Sequence, residues 1–221
     1  MVEQPQRWTL GRMQNPIRGF LHGTAAVVST VGLGFLIWKA WGNGAAMAGA
    51  IIFGISLMAM FTVSSLFHAV EWRDAVWKWM QRVDHSMIFL LVAGTITPLA
   101  IATLSGWSLG LVLVFVWGIA VVGIALKLTL RSPVTWLSVT LQLLMGWSAM
   151  FWFPAFLDTH GWWGAWPVIA GGLAYTVGVV FYATQRPRLF PRVFAAHELF
   201  HVLVVTASSL HWIAVFRVMA V

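Results

Sequence analysis

The chain contains five long stretches without a single Asp, Glu, Lys or Arg, at residues 19–38, 40–70, 85–126, 132–157 and 159–185. A transmembrane helix needs about 20 consecutive apolar residues, so every one of these stretches is long enough to cross a bilayer. Charged residues make up only 9% of the chain, against about 25% in soluble domains. So few charges cannot cover a water-facing surface. We therefore predict an all-α membrane protein that lies almost wholly within or close to the bilayer.

Charges and clusters of Gly, Pro and Trp divide the chain into seven apolar segments. The least marked division is the uncharged turn at residues 104–108 (LSGWS), which must interrupt a run too long for one crossing. We expect residues 1–221 to form a single seven-helix transmembrane domain. No small-residue cleavage site follows the basic N-terminal residues, so we expect the first segment to be retained. The predicted helices are roughly 20–40, 45–70, 83–104, 108–129, 133–154, 163–184 and 193–216.

The 13 basic residues predict the orientation, because Lys and Arg are enriched in cytoplasmic loops. With the N-terminus inside, only Lys39 and Arg217 lie outside. An odd number of spans then places the C-terminus outside, and a multi-pass protein of the cell inner (plasma) membrane is expected. Topology explains the net charge of +7, so we expect no nucleic-acid partner. The eleven basic residues on the cytoplasmic side are Arg7, Arg12, Arg18, Arg73, Lys78, Arg82, Lys127, Arg131, Arg186, Arg188 and Arg192.

Polar residues at membrane depth are costly and indicate function. Segment two ends in Ser64 and His68, segment three begins with Asp84, and segment seven begins with His197 and His201. In the predicted topology all three helices carry these groups near the same membrane face.

His197 and His201 lie four residues apart, which places both imidazoles on one helix face with the spacing that a divalent metal needs. The chain has no cysteine, so a metal must be held by His, carboxylate or other oxygen ligands. His68 is the natural third ligand of a zinc site. His211 is too far along the helix to share that metal.

Simpler interpretations exist for the neighbouring residues. Asp84 could cap the start of segment three, Ser64 could bond the carbonyl one turn earlier, and His68 could reach the membrane interface. Sequence alone leaves the roles of His22 and His85 open, whereas His160 is expected in an outer loop.

The segment His197-Glu198-Leu-Phe-His201 also satisfies the HExxH pattern, in which the Glu is the general base of a zinc metalloprotease. An intramembrane protease is therefore an alternative. It leaves Asp84 and Ser64 without a role.

The polar blocks at residues 64–68 (SSLFH), 83–98 (VDHSMIFLLVAGTITP) and 197–211 (HELFHVLVVTASSLH) resemble the signature blocks of the hemolysin III family. This family is the bacterial branch of the progestin and adipoQ receptors, which include the adiponectin receptors. Residues 15–23 (NPIRGFLHG) resemble the opening block of the family, and residues 186–194 (RPRLFPRVF) resemble its last loop.

The resemblance implies a seven-helix bundle with a cytoplasmic N-terminus and a Zn²⁺ ion held by His68, His197 and His201. It implies that Ser64 and Asp84 stand beside the metal. In adiponectin receptors a Gln matches Glu198, which argues against a base at that position.

The family is similar to proposed membrane hydrolases that include alkaline ceramidases. This likeness implies a zinc-dependent hydrolase of lipid amides or esters, with Asp84 as base and Ser64 steadying the water or the developing oxyanion. Its partners would be membrane lipids, including a fatty-acyl substrate. The alternative is a non-catalytic sensor of membrane fluidity or homeostasis with a structural zinc, and a cytolysin is a further, less favoured hypothesis.

Overall fold

The computed structural model describes residues 13–130, 135–190 and 193–219. Each of the seven predicted segments corresponds to a helix, which confirms the all-α class. Six of the helices are long and apolar enough to cross a membrane, and residues Trp136–Phe151 form a shorter apolar helix. The helices are α1 (Pro16–Lys39), α2 (Gly44–Ala69), α3 (Asp74–Thr103), α4 (Gly106–Thr129), α5 (Thr135–Trp147), α6 (Phe153–Thr184) and α7 (Ala196–Val218), with a 3-10 turn at Ser148–Phe151 between α5 and α6.

Helix α3 begins at Asp74, nine residues before the predicted start of segment three. Hydropathy locates the apolar part of a helix, whereas backbone hydrogen bonding continues through the polar turns that precede it. Asp74 in the first turn also favours this earlier start, because its negative charge interacts well with the helix dipole. Asp84 consequently lies inside the helix, and the interpretation of this residue as a helix cap is wrong.

The boundary between segments five and six also differs from the prediction. Helix α5 ends at Trp147, and α6 begins at Phe153 with a kink at Gly161, whose φ is 64°. His160 was expected in an outer loop, but it belongs to the first part of α6, where its Nε2 atom lies 3.3 Å from Thr103 Oγ1. A glycine can adopt the left-handed conformation that the kink requires at little cost.

Small residues allow the helices that carry the polar blocks to approach each other closely. A Cβ atom on Gly94 of α3 would collide with the Ser56 side chain of α2. Between α1 and α2, Ser65 Oγ donates a 2.7 Å hydrogen bond to Gly19 O, and the Asn15 N–H donates to His68 O at 2.9 Å. The start of α1 is thereby fixed beside the end of α2, where the polar residues lie.

The outer surface carries large apolar side chains, and several polar side chains are buried inside. Trp107 and Phe151 are 88% and 93% exposed, a pattern that suits contact with lipid rather than water. Inside, Thr95 and Thr97 donate hydrogen bonds to carbonyl groups one turn earlier, which satisfies their hydroxyl groups without water.

Candidate metal centre

Three histidines from two helices converge at one end of the bundle. His68 ends α2, and His197 and His201 begin α7. Their ligand nitrogens all lie within 4.8 Å of one another, and the His68 ring centroid is 5.5 Å from that of His197 and 4.7 Å from that of His201. The structure therefore brings together the three residues that were predicted as metal ligands.

The chemistry of this donor set fits a metal ion. Three imidazole nitrogens suit zinc and other divalent transition metals, and a fourth position can remain open for water or substrate. His68 and His201 are buried, with only 3% and 2% of their surfaces exposed. His68 therefore does not reach the membrane interface, and that alternative is wrong.

A fourth histidine, His22 of α1, supports this cluster. Its Nε2 atom lies 3.0 Å from His201 Nδ1, so the two rings share a hydrogen bond. Because His201 Nδ1 is engaged in this way, His201 Nε2 is the nitrogen that could bind an ion. Histidine ligands are commonly oriented by such a second hydrogen bond. The sequence left His22 unassigned, although an imidazole in an apolar segment was a signal.

Ser64 and Asp84 form a pair beside the histidines. Ser64 lies one helical turn before His68 on α2, and its hydroxyl group makes a side-chain hydrogen bond with Asp84 of α3. Both side chains line the same cavity as His197 and His201. Ser64 thus has a partner on a neighbouring helix, beyond the local carbonyl bond that its position in a helix alone suggested.

Glu198 lies between two ligand histidines in sequence, yet its carboxylate is engaged elsewhere. Arg18 Nε donates to Glu198 Oε1 at 2.7 Å, and the Ala195 N–H donates to Glu198 Oε2 at 2.8 Å. Both carboxylate oxygens therefore already accept hydrogen bonds, which does not suit the general base of an HExxH protease. Arg18, predicted as a cytoplasmic loop charge, instead lies in α1 and is buried, because Glu198 provides its counterion.

A cavity of about 300 Å³ extends from this polar end into the bundle. Apolar side chains such as Leu91, Leu99 and Val168 form most of its wall. Further along, Tyr175 and Ser208 are joined by a 2.7 Å hydrogen bond. The arrangement combines a compact polar end with a long apolar interior, which suits an amphiphilic ligand.

His211 lies deep in this cavity, away from the metal-ligand cluster. It is about 21 Å along α7 from His197 at 1.5 Å per residue, and its Nε2 atom lies 3.2 Å from Val168 O. The expectation that His211 cannot share the metal is confirmed.

A family model described as "Haemolysin-III related" matches residues 11–212. The chain belongs to the hemolysin III family. The match includes all four histidines of the cluster as well as Ser64 and Asp84. The family resemblance read from the polar sequence blocks is therefore confirmed, and the chain is a member of a membrane-spanning family.

Relatives of this hemolysin III chain occur in bacteria and mammals. It is 28% identical to Hemolysin-3 of Bacillus cereus over 97% of this chain and 96% of that protein. It is 30% identical to a Hemolysin-3 homolog of Bacillus subtilis over 75% of this chain and 78% of that protein. The human Monocyte to macrophage differentiation factor is 26% identical over 76% of this chain and 69% of that protein. The similarity thus extends to mammalian proteins of the progestin and adipoQ receptor type.

Proposed function

We propose that this protein is a zinc-dependent membrane hydrolase that cleaves lipid amides or esters. The observation that carries the proposal is the Ser64–Asp84 pair beside His68, His197 and His201, at the polar end of an apolar cavity. A purely structural metal would not require a carboxylate and a hydroxyl group to face the same space.

Each polar residue of the site has a separate role in the proposed hydrolysis. A zinc ion bound by the three histidines supplies Lewis-acid chemistry, since it lowers the pKa of water and polarises a carbonyl group. Asp84 accepts the proton of the attacking water and passes it to the leaving group. The hydrogen bond from Ser64 orients that carboxylate, and the same hydroxyl group can steady developing negative charge on the substrate oxygen.

The cavity supports a lipid as the substrate. Its apolar wall offers acyl chains an environment similar to the hydrocarbon core of the bilayer, so a chain can enter the cavity without being exposed to water. The apolar outer surface suits contact with membrane lipids, so we expect the substrate to reach the cavity from the bilayer. Fatty-acyl lipids of the cell inner membrane are the proposed partners.

We further propose seven membrane crossings with the N-terminus inside. His68 at the end of α2 and His197 at the start of α7 are neighbours, so the α2–α3 and α6–α7 loops lie at one end of the bundle. Helix α5 and the 3-10 turn together extend for about 28 Å, close to the roughly 30 Å of a hydrocarbon core, which supports a crossing between α4 and α6. Residues Arg7, Arg12, Arg131 and Arg192 of the predicted cytoplasmic set lie outside the described residues.

A second function, a non-catalytic sensor with a structural metal, is favoured by a specific observation. A bound ion would hold α2 to α7 through the histidine cluster, and the hydrogen bond between His22 and His201 would link α1 to them. A change in the bilayer could then alter their packing. Pore formation, which the name of the Bacillus relatives suggests, has no comparable support in the site.

The deciding experiment compares Asp84→Asn with the wild-type protein purified with zinc. Hydrolysis of a fluorescent lipid amide and of the matched ester is measured together with bound metal. We expect Asp84→Asn to lower turnover by about 10²–10⁴-fold while zinc content stays unchanged. Asp158→Asn, an exposed carboxylate on α6, is the matched control and should retain activity.

Two outcomes would count against the hydrolase. An active Asp84→Asn protein together with a folded, zinc-loaded but inactive Glu198→Gln protein would return the role of base to Glu198. If wild-type protein contains zinc but cleaves neither lipid, and His68→Ala lowers its thermal stability, the structural-metal sensor becomes the better description.

A further inference from the structure

We propose that Lys127 forms an anion-binding subsite in the cavity and that this subsite holds a carboxylate or phosphate group of an amphiphile. The subsite is distinct from the metal-ligand histidines. The anion would bind in the same cavity as the proposed substrate. That this anionic amphiphile is the substrate rests on the proposed hydrolase function.

The first observation is a buried charge without a counterion. Lys127 lies near the end of α4, is only 3% exposed, and lines the cavity. In the described part of the chain no acidic residue forms an ion pair with it. The carbonyl groups at the C-terminus of α4 provide partial negative charge, but they leave the net charge of the ammonium group uncompensated. A buried charge normally requires a partner.

The second observation is that polar side chains from two other helices, His85 of α3 and Gln142 of α5, line the same cavity as this lysine. A Cβ atom on Gly123 of α4 would meet the Phe89 ring of α3, so these two residues are neighbours. Lys127 follows Gly123 by four residues and His85 precedes Phe89 by four. Because α3 and α4 are antiparallel, Lys127 and His85 lie at the same level of the bundle. The His85 and Lys127 side chains are close enough to interact electrostatically. Gln142 of α5 lies beside them, with its Nε2 atom 3.5 Å from His85 O. A chamber lined by a cation and by N–H groups, as Lys127, His85 and Gln142 provide here, suits an oxyanion.

The third observation links this chamber to the metal centre. Asp84 and His85 are consecutive on α3 and therefore point about 100° apart around the helix. Asp84 is hydrogen-bonded to Ser64 of α2, whereas His85 lies near enough to Lys127 of α4 for an electrostatic interaction. All four residues line one cavity. An anionic group at Lys127 and a carbonyl group beside the histidines can thus belong to the same amphiphile.

The test measures binding of four probes with the same fluorescent chain and different head groups: a carboxylate, a phosphate monoester, a methyl ester and a trimethylammonium. We expect wild-type protein in neutral detergent to bind at least one anionic probe about tenfold or more tightly than the ester or the cation. The tighter of the two anions identifies the head-group class. Lys127→Met should abolish the preference, whereas Lys127→Arg should retain it.

Lys78→Met is the matched control, because Lys78 is an exposed lysine on α3, and it should bind all probes as wild type does. Thermal unfolding of each variant checks the fold, and the apolar replacement of a buried charge should not lower stability. A preference for anions that survives in folded Lys127→Met protein overturns the proposal, as does a wild-type protein without any such preference.

A further arm separates the lysine from the metal. His201→Ala protein treated with a chelator should keep the anion preference, and loss of the preference there would assign anion binding to the metal centre and overturn the proposal. Binding is measured without turnover. A protein that prefers anions through Lys127 but hydrolyses no lipid would therefore refute the hydrolase and leave the subsite standing.

Discussion

At the scale of single residues, the Arg18–Glu198 pair shows how a sequence motif can mislead. Glu198 occupies the position of the base in HExxH, but its oxygens bond Arg18 of α1 and the backbone at the start of α7. The two side chains are only 9% and 11% exposed. The pair joins the first helix to the last beside the metal-ligand histidines, so its role is to hold these helices together.

This pair predicts non-additive stability effects. Arg18→Met or Glu198→Leu alone should lower the free energy of unfolding by about 3–5 kcal/mol, because each leaves a buried charge without its counterion. The double variant should recover most of that loss. Thermal or denaturant unfolding in detergent measures all three, and losses that simply add would show that the two residues act independently.

His22 is the second residue whose role emerges only from the structure. It contacts a ligand histidine without belonging to the three-histidine group. A residue in this position fixes the ring orientation of the ligand and favours one tautomer.

We therefore expect His22→Phe to weaken metal affinity by about 10–100-fold while saturating zinc still binds stoichiometrically. Competition with a chelator of known affinity measures the effect. His201→Ala should reduce the stoichiometry itself. His160→Ala serves as the control, because His160 lies on α6 and contacts Thr103 at the end of α3 away from the histidine cluster. Unchanged affinity in His22→Phe would show that His201 is oriented without it.

At the scale of elements, α3 carries Asp84 beside the histidine cluster and His85 beside Lys127. It packs closely on its neighbouring helices where small residues lie at the contact. Its nine-residue extension, residues 74–82, was not visible from hydropathy, because a helix continues where apolar character ends. The α6–α7 pair uses the same device of close approach: Gly171 is buried against His211, and a Cβ atom there would lie 2.5 Å from His211 Nε2 and 3.1 Å from Ala207 O.

Gly171→Ala should consequently destabilise the protein by about 1–3 kcal/mol, since the backbone carbonyl of Ala207 cannot move aside freely. Gly172→Ala is a stringent control: it lies next in sequence, and a Cβ atom there would meet nothing within 4 Å. Its stability should match wild type or exceed it slightly, because alanine is the better helix former. Equal losses in both variants would contradict the packing explanation.

At the scale of the whole molecule, the apolar surface and the positions of the loops favour the proposed topology of seven membrane crossings. The described loop and helix-end charges Arg73, Lys78, Arg186 and Arg188 lie at the end of the bundle where the histidines meet. The positive-inside rule assigns that end to the cytoplasm.

The topology can be tested by labelling, because the chain contains no cysteine. Single cysteines at Trp41, Glu71, Ser105 and Gln185 are treated with a membrane-impermeant maleimide on intact cells. Trp41→Cys and Ser105→Cys should react, whereas Glu71→Cys and Gln185→Cys should react only after the cells are lysed. Labelling of Gln185→Cys on intact cells would mean that α5 does not cross, leaving six spans.

The sequence by itself determined the helical class, the approximate position of each apolar segment and the three histidines that meet. These features follow from composition and local periodicity: long uncharged stretches have few alternatives to membrane helices, and a spacing of four residues places two imidazoles on one face. Polar character at membrane depth also singled out Ser64 and Asp84, and the family resemblance added their place beside the metal.

Only the tertiary structure decided which distant side chains become partners. Arg18 reaches Glu198 across 180 positions and His22 reaches His201 across 179, while Lys127 shares a cavity with two histidines of the cluster on α7. Such contacts depend on how the helices are rotated and how closely they approach. Small residues and buried polar hydrogen bonds together determine both. Local sequence patterns do not predict which of these side chains meet, because the distances between them depend on the packing of the whole bundle.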